Sequence, residues 1–239
     1  MKIQRTFPLI FLLLVMFLIY FFDLSQYLSF ENLKKNRNAL KEFVSAHSIL
    51  APLIYTTLYI VVAALSIPGA VFLTLSGGFL FPQPYSTLFT ITGATLGATC
   101  LFLITQFALA DILKKTAGPS IYRLQKGLEE NTVSYLLFLR FVPLFPFWLV
   151  NLAPALFGVP LFTFFWTTLV GVSPGSFVFC QAGAGLNAIF DSGQEFSIGS
   201  ILNSNMKIAL GALGVFSLMP LILKKLGLFP KNTPPSDLC

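Results

Sequence analysis

The sequence predicts an all-α polytopic membrane protein, and three observations carry that expectation. Hydrophobic residues make up 56% of the 239 positions and charged residues only 10%, far less charge than a soluble domain of this size carries. Several apolar runs are long enough for a helix to cross a hydrocarbon core of ~30 Å, which takes about 20 residues. Strands of about ten residues with period-2 alternation, the signature of a membrane β-barrel, are missing. The expected architecture is about five transmembrane helices plus two re-entrant helical hairpins in an inverted repeat, with interfacial amphipathic helices.

The elements follow in order. Lys2 and Arg5 precede the run Phe7–Phe22, and the bulky Tyr20-Phe21-Phe22-Asp23 after it offers no small-residue cleavage pattern, so a retained first span is expected. In "FENLKKNRNALKEFVSAH", Leu33, Leu40, Phe43 and Val44 share one helical face, with Lys34, Lys35, Arg37 and Lys41 around the rest. That is the pattern of a helix lying in the interface against anionic headgroups, ended by His47.

From Ser48 to Ala110 no residue is charged. Ile49–Leu65 reads as a span. Pro68-Gly69 and Gly77-Gly78 then bracket an apolar piece too short to cross, before Pro82, Pro84 and the next span, Thr87–Leu109. A short apolar piece between helix breakers reads as a re-entrant hairpin, at about 67–83. Asp111–Asn131 is polar and reads as a surface loop with a short interfacial helix.

Thr132 to Phe190 carries a single charge, Arg140, and Pro143, Pro146, Pro154 and Gly158 break it into a second hairpin at about 137–158. The run Leu161–Leu186 follows, with Gly171, Pro174 and Gly175 inside it. A polar loop leads to the last span, Met206–Leu223, and a Pro-rich tail after Lys224-Lys225 that reads as disordered. The chain thus divides into an N-terminal span and interfacial helix (1–47), a core with both hairpins (48–190), and a loop, last span and basic tail (191–239). A broken hairpin followed by a Gly-rich span occurs twice, at about 67–110 and about 137–186, which points to an inverted repeat with a site where the hairpins meet.

Charge and cysteine usage exclude several classes. The net charge of +6 sits in short segments flanking apolar runs, which fits a membrane surface and not nucleic acid. Placing 30–47, 111–131 and the tail on one side collects eleven lysines and arginines, leaving Lys2, Arg5 and Lys207 opposite. The positive-inside rule then puts the C-terminus in the cytoplasm. Cys100, Cys180 and Cys239 are too scattered for a disulfide frame or zinc spacing, and one histidine cannot build a multi-histidine site. No nucleotide fingerprint, metal cluster or nucleophile–base pair is present, so neither an enzyme nor a cofactor is expected.

Arg140 is the sharpest candidate for a binding residue. An arginine at mid-bilayer costs at least about 2.5–3.5 kcal/mol and so faces a protein interior or a water-filled cavity. Its guanidinium offers five donors and suits phosphate or carboxylate; snorkelling to the surface is the plain alternative. Pro143 and Pro146 remove backbone donors beside it and expose carbonyls, and Asn151 adds a donor and an acceptor. Gly93 and Gly97 in "GATLGA" form a small-xxx-small face that reads as internal helix packing. Neither apolar stretch contains Asp or Glu, which argues against a buried carboxylate proton relay.

The stretches "SIPGAVFLTLSGGFLF…GATLGATCLFL" and "LRFVPLFPFWLVNLAPALFGVPLFTFFWTTLVGVSPGSFVFCQAGAGL" resemble the VTT-domain (SNARE-associated or DedA-like) proteins over about residues 50–190. The nearest branch is the one named for a late-Golgi vesicle protein. The resemblance rests on Arg140, Pro143, Pro146 and Asn151 with Gly171, Pro174 and Gly175 downstream. It implies two opposed re-entrant hairpins, a lipid-facing groove, and a role in moving lipids or lipid-linked phosphates across bilayers. Three departures stand out: no acids in the hairpins, Thr105-Gln106 where this branch often has Gly-Arg, and Pro82 where a glycine is usual. They weigh against proton-driven transport.

The resulting expectation is an integral membrane protein, in a bacterial inner membrane, that assists transbilayer movement of anionic lipids or lipid-linked phosphates. Arg140, Pro143, Pro146 and Asn151 would bind substrate; Pro68, Gly69, Gly77, Gly78, Gly93, Gly97, Gly171, Pro174 and Gly175 would shape the hairpins and their packing. Its partners would be membrane lipids, and a homo-oligomer or a membrane protein is a further option. Two rivals share the architecture: a small-solute or ion transporter, and a membrane scaffold that transports nothing.

Overall fold

The computed structural model describes residues 29–67, 69–109, 132–140, 147–186 and 190. Pro68, Pro143 and Pro146 lie outside the described residues, as do the expected first span, the 111–131 loop, the last span and the tail. The described residues form helices joined by short turns.

The N-terminal part is two helices, not one. Helix α1 (Phe30–Lys35) is capped by Ser29, whose hydroxyl accepts from the Asn32 N–H at 3.3 Å. Glu31 in its first turn and Lys34 and Lys35 in its last complement the helix dipole. After a break at Asn36, α2 (Arg37–Ala46) runs to its C-cap, His47. It meets α3 (Leu50–Ala64) at a bend of 116°. The apolar stripe expected to face lipid packs inward instead. Leu33 is buried with Leu75, Phe79, Leu186 and Phe190, with Leu40 against the same cluster, while Val44 joins the cluster on α3. Of the four stripe residues Phe43 alone is exposed, stacked on His47 at 4.6 Å.

Helix α3 has 15 residues, about 22 Å at 1.5 Å per residue, and so falls short of the crossing expected for Ile49–Leu65. Helix α4 (Ala70–Leu80) has 11 residues. Helix α5 (Tyr85–Ile104) runs on through a π turn at Thr105–Leu109, the stretch holding the Thr105-Gln106 departure. Helix α6 covers 132–140, α7 spans Phe147–Leu156, and α8 spans Leu161–Ala184. Among the described residues two helices are long and apolar enough to cross a bilayer, Tyr85–Phe107 and Leu161–Ala184, and a third arises if α2 and α3 form one bent span.

The short helices α4 and α7 both lead into a long one through the same break. Phe81-Pro82-Gln83-Pro84 precedes α5, and Phe157-Gly158-Val159-Pro160 precedes α8. Proline at the last position fixes φ for helix entry, and Gly158 takes φ +72°, a value that favours glycine.

Small residues set the packing. Helices α3 and α5 run parallel: Tyr55 pairs with Thr90, Gly93 lies on Tyr59, and Gly97 lies on Ala63 and the Ile60 carbonyl. A Cβ at Gly93 would stand 2.7 Å from the Tyr59 Cβ, and one at Gly97 would stand 2.5 Å from the Ala63 Cβ. The small-xxx-small face is therefore used within the chain, as expected. Helices α5 and α8 run antiparallel, from Thr90 beside Cys180 to Phe102 stacked on Phe164 at 4.4 Å. Helix α4 crosses α8 at backbone contact, Gly78 against the Cys180 carbonyl and Gly183 against the Leu75 carbonyl.

Gly78→Ala would drive a methyl into the Cys180 carbonyl, whereas Gly175→Ala meets nothing within 4 Å. The first is expected to lower stability by about 1–3 kcal/mol through overpacking; the second is expected to leave it unchanged or raise it slightly through helix propensity. Thermal unfolding of both variants in one detergent checks the contrast.

Candidate functional site

Arg140, the last described residue of α6, points at α7 and α8. Its Nη2 donates to Asn151 Oδ1 at 2.6 Å and to Thr168 Oγ1 at 2.9 Å. The guanidinium carbon stands 5.9 Å from the ring centroid of Phe147 and 5.3 Å from that of Phe164, within reach of cation–π attraction. This is a guanidinium held by neutral acceptors and aromatic rings. Snorkelling is not its arrangement, because its donors turn to side chains of two other helices.

Each element contributes for a local reason. Gly171, one turn after Thr168 on α8, lies directly against the arginine stem: a Cβ there would stand 2.5 Å from the Arg140 Cβ and 2.8 Å from its Cγ. Glycine at 171 thus lets α6 approach α8 closely enough for Thr168 to reach the guanidinium. Asn151 sits in the middle of α7 with 0% exposure, among buried Val150 and Ala153. Its oxygen accepts from Arg140, which fixes the amide orientation. Its Nδ2 is then a buried donor with no partner among the described residues, a state that costs about 1–3 kcal/mol unless an acceptor arrives.

The described part of the cluster is donor-rich. Both side-chain oxygens at the guanidinium, Asn151 Oδ1 and Thr168 Oγ1, are taken by Nη2. The donors left over are the Asn151 Nδ2, the Thr168 hydroxyl hydrogen and the rest of the guanidinium fork. No Asp or Glu occurs from Thr132 to Phe190. Such a set matches an anion with several acceptor oxygens.

Of the residues expected to bind substrate, Arg140 and Asn151 come together, and Pro143 and Pro146 lie outside the described residues. Gly171 joins the same cluster, while Gly77 packs on Tyr55, and Gly78, Gly93 and Gly97 serve helix packing elsewhere. Pro174 lies inside α8, and the Gly175 side faces open space. Gln106 and Gln181 are exposed, and so is Cys100.

Sequence reasoning missed Thr168, Phe147 and Phe164. A signal for Thr168 existed: Thr167-Thr168 is a polar pair in an apolar run, three residues before Gly171. It also missed a second, neutral network. The Tyr55 hydroxyl meets Thr90 at 2.8 Å and the Leu73 carbonyl at 3.0 Å, the Tyr59 hydroxyl meets Thr74 at 3.0 Å, and Thr90 lies 3.5 Å from Cys180 Sγ. Cys180 thus takes part in this network.

The arrangement separates charge from stability. Thr168→Val removes an acceptor and is expected to cost about 1.5–3 kcal/mol, the worth of a hydrogen bond to a charged group. Arg140→Met removes the buried charge with its acceptors left neutral, and is expected to cost less than that or to stabilise. Thermal unfolding ranks the two; a larger loss for Arg140→Met would make the guanidinium a structural clamp.

Comparison with known proteins adds relationship to this geometry. The VTT domain model matches residues 67–185, a range that contains Arg140, Asn151, Thr168 and Gly171. A Transmembrane protein 41 homolog of Caenorhabditis elegans is 33% identical over 170 residues, covering 70% of this chain and 67% of that protein. Transmembrane protein 41B of Xenopus laevis is 31% identical over 72% of this chain and 60% of its own length. A Transmembrane protein 41 homolog of Dictyostelium discoideum is 28% identical over 82% of this chain and 58% of its own. The chain thus spans about three-fifths of the length of the frog and slime-mould proteins. All three relatives are eukaryotic and lend the expected bacterial membrane no support. No solved structure matches the chain. Its apolar helices, its domain match and its relatives together make it an integral membrane protein that belongs to the VTT-domain family.

Proposed function

We propose that the protein assists transbilayer movement of anionic lipids or lipid-linked phosphates, in the manner of a scramblase and without chemistry on the substrate. The observation that carries this reading is the donor-rich cluster at Arg140. A guanidinium and the buried Asn151 Nδ2, a donor without a partner among the described residues, are set side by side in a stretch of chain without acids. A phosphate oxygen is the group that would complete the hydrogen bonds of both.

The helix arrangement supports a path for such a headgroup. Because α3 and α5 run parallel, the chain between them must return to the side on which α3 begins. Helix α4, at about 16 Å, is too short to span ~30 Å of hydrocarbon. We read α3 and α4 as the arms of a first re-entrant hairpin, wider than the 67–83 segment, and α6 and α7 as those of a second. The antiparallel order of α5 and α8 then sets the two hairpins in from opposite faces, as in inverted repeats whose substrate sites lie between them. Membrane lipids are the partners this reading requires. Without a buried acid the movement would follow the lipid gradient and not a proton gradient.

Purified protein in liposomes tests the reading. Lipid with an anionic headgroup should equilibrate between leaflets faster than in protein-free vesicles, and Arg140→Ala should return the rate to the protein-free value. Unchanged movement in the variant would sink the role of Arg140. Uptake of a water-soluble solute with lipid left in place would replace the reading by that of a solute transporter.

A further inference from the structure

Helix α8 is tied at its two ends to different groups of helices. Near its start, Phe164 packs with Leu136 and Ala155, Thr168 accepts from Arg140 at 2.9 Å, and Gly171 lies against the arginine stem. Near its end, Cys180 Sγ lies 3.5 Å from Thr90 Oγ1 and 3.6 Å from the Thr74 carbonyl, and Gly183 lies against the Leu75 carbonyl. The first ties bind α8 to α6 and α7, and the second bind it to α4 and the first half of α5. Each hydrogen-bond network stays within its own group: Arg140, Asn151 and Thr168 form one, and Tyr55, Tyr59, Thr74, Thr90 and Cys180 the other. Apolar contacts join the groups. Phe147 and Val172 pack on the α3–α4 core, and Phe164 stacks on Phe102 of α5. Apolar contact is non-directional and tolerates a small tilt.

Between the two sets of ties, three consecutive residues soften α8. Pro174 cannot donate to the Val170 carbonyl. The Ser173 hydroxyl donates to the Leu169 carbonyl, a back-bond that bends helices. Gly175 is helical but has no side chain to restrain the turn, and glycine is about 1 kcal/mol less favourable there than alanine. Gly171 and Gly183, by contrast, each serve a close contact. Proline and Gly/Ser positions are where helices kink sharply, and here they fall between the two groups. We propose that α8 is jointed at Ser173-Pro174-Gly175, and that the two helix groups rock about this joint as a headgroup crosses. The inference rests on the transport reading above and supplies the movement that turns the Arg140 cluster between the leaflets. Phe162 lies twelve residues before Pro174. That is an arm of ~18 Å, so a tilt of ~20° moves position 162 by about 6 Å.

Full-length protein in liposomes, with and without Pro174→Ala/Gly175→Ala, tests the joint by two measurements. The double variant should stiffen α8: its unfolding midpoint in detergent stays at or above that of the wild type. Its movement of phosphatidylglycerol should fall about tenfold, ~1.4 kcal/mol on the barrier. Spin labels at Val61→Cys on α3 and Phe162→Cys on α8, both exposed positions, read the rocking itself once Cys100→Ser and Cys239→Ser remove the other accessible thiols. The wild-type protein should show distances spread over about 6 Å, and the double variant a single narrower distance. A wild-type distribution no broader than that of the double variant overturns the inference. So does phosphatidylglycerol movement at the wild-type rate in that variant. A slower rate accompanied by a lower unfolding midpoint would make the two residues packing elements, and overturns it as well. If the double variant does not fold, Gly175→Ala alone carries both measurements. If the wild-type protein moves no lipid, the transport reading falls, and the label distances still decide whether the joint exists. If lipid moves while the distance stays single, transport stands and only the joint fails.

Discussion

A guanidinium inside an acid-free stretch of membrane helix must take its acceptors from neutral groups, and the second half of this protein is arranged around that requirement. Arg140 finds Asn151 on α7 and Thr168 on α8, which ties three helices to one charged atom group. The tie needs close approach, and Gly171 permits it by lacking the Cβ that would meet the arginine stem. Neutral acceptors stabilise the charge without neutralising it, so the field of the arginine stays available to an incoming anion.

The first half meets its own requirement differently. Hydroxyls of Tyr55, Tyr59, Thr74 and Thr90 satisfy one another and nearby carbonyls, with Cys180 from α8 closing the group. Helix α8 therefore takes part in both halves, through Thr168 at one site and through Cys180 and Gly183 at the other. Pro174 lies between them and removes a backbone donor from the middle of the helix. Exposed Leu161, Phe162, Leu169, Val170 and Phe177 along α8 suit contact with acyl chains. An apolar outer face beside a donor-rich interior is what a headgroup path at a protein–lipid boundary requires.

The N-terminal helices show how an amphipathic pattern can be half-read. The stripe through Leu33, Leu40, Phe43 and Val44 was legible, but its partner was not. A periodic apolar face is the same whether it meets lipid or protein, and here α4 and the end of α8 take most of it. The expected span at Ile49–Leu65 came out shorter, as the 15-residue α3, for a related reason. Ile49–Leu65 is apolar enough for a span, and hydropathy carries no information on where a helix starts relative to its neighbours.

By itself the sequence, which misplaced breaks at Gly77-Gly78 and Pro154 that lie inside α4 and α7, determined the membrane class, the breaks before Tyr85 and Leu161, the family, and the lone charge of Arg140. Each of these follows from local chemistry: apolar runs must be helical in lipid, proline and glycine end helices, and an isolated charge in such a run stands out. Only the tertiary structure decided what surrounds that charge. Thr168 lies 28 positions from Arg140 and Asn151 lies 11, and no periodicity links residues on different helices. The crossing of α6, α7 and α8 brings them together, and close contact at Gly171 sets how near they come. The absence of acids was plain in the sequence, but the neutral groups that surround Arg140 in their place became identifiable only once the helices were packed.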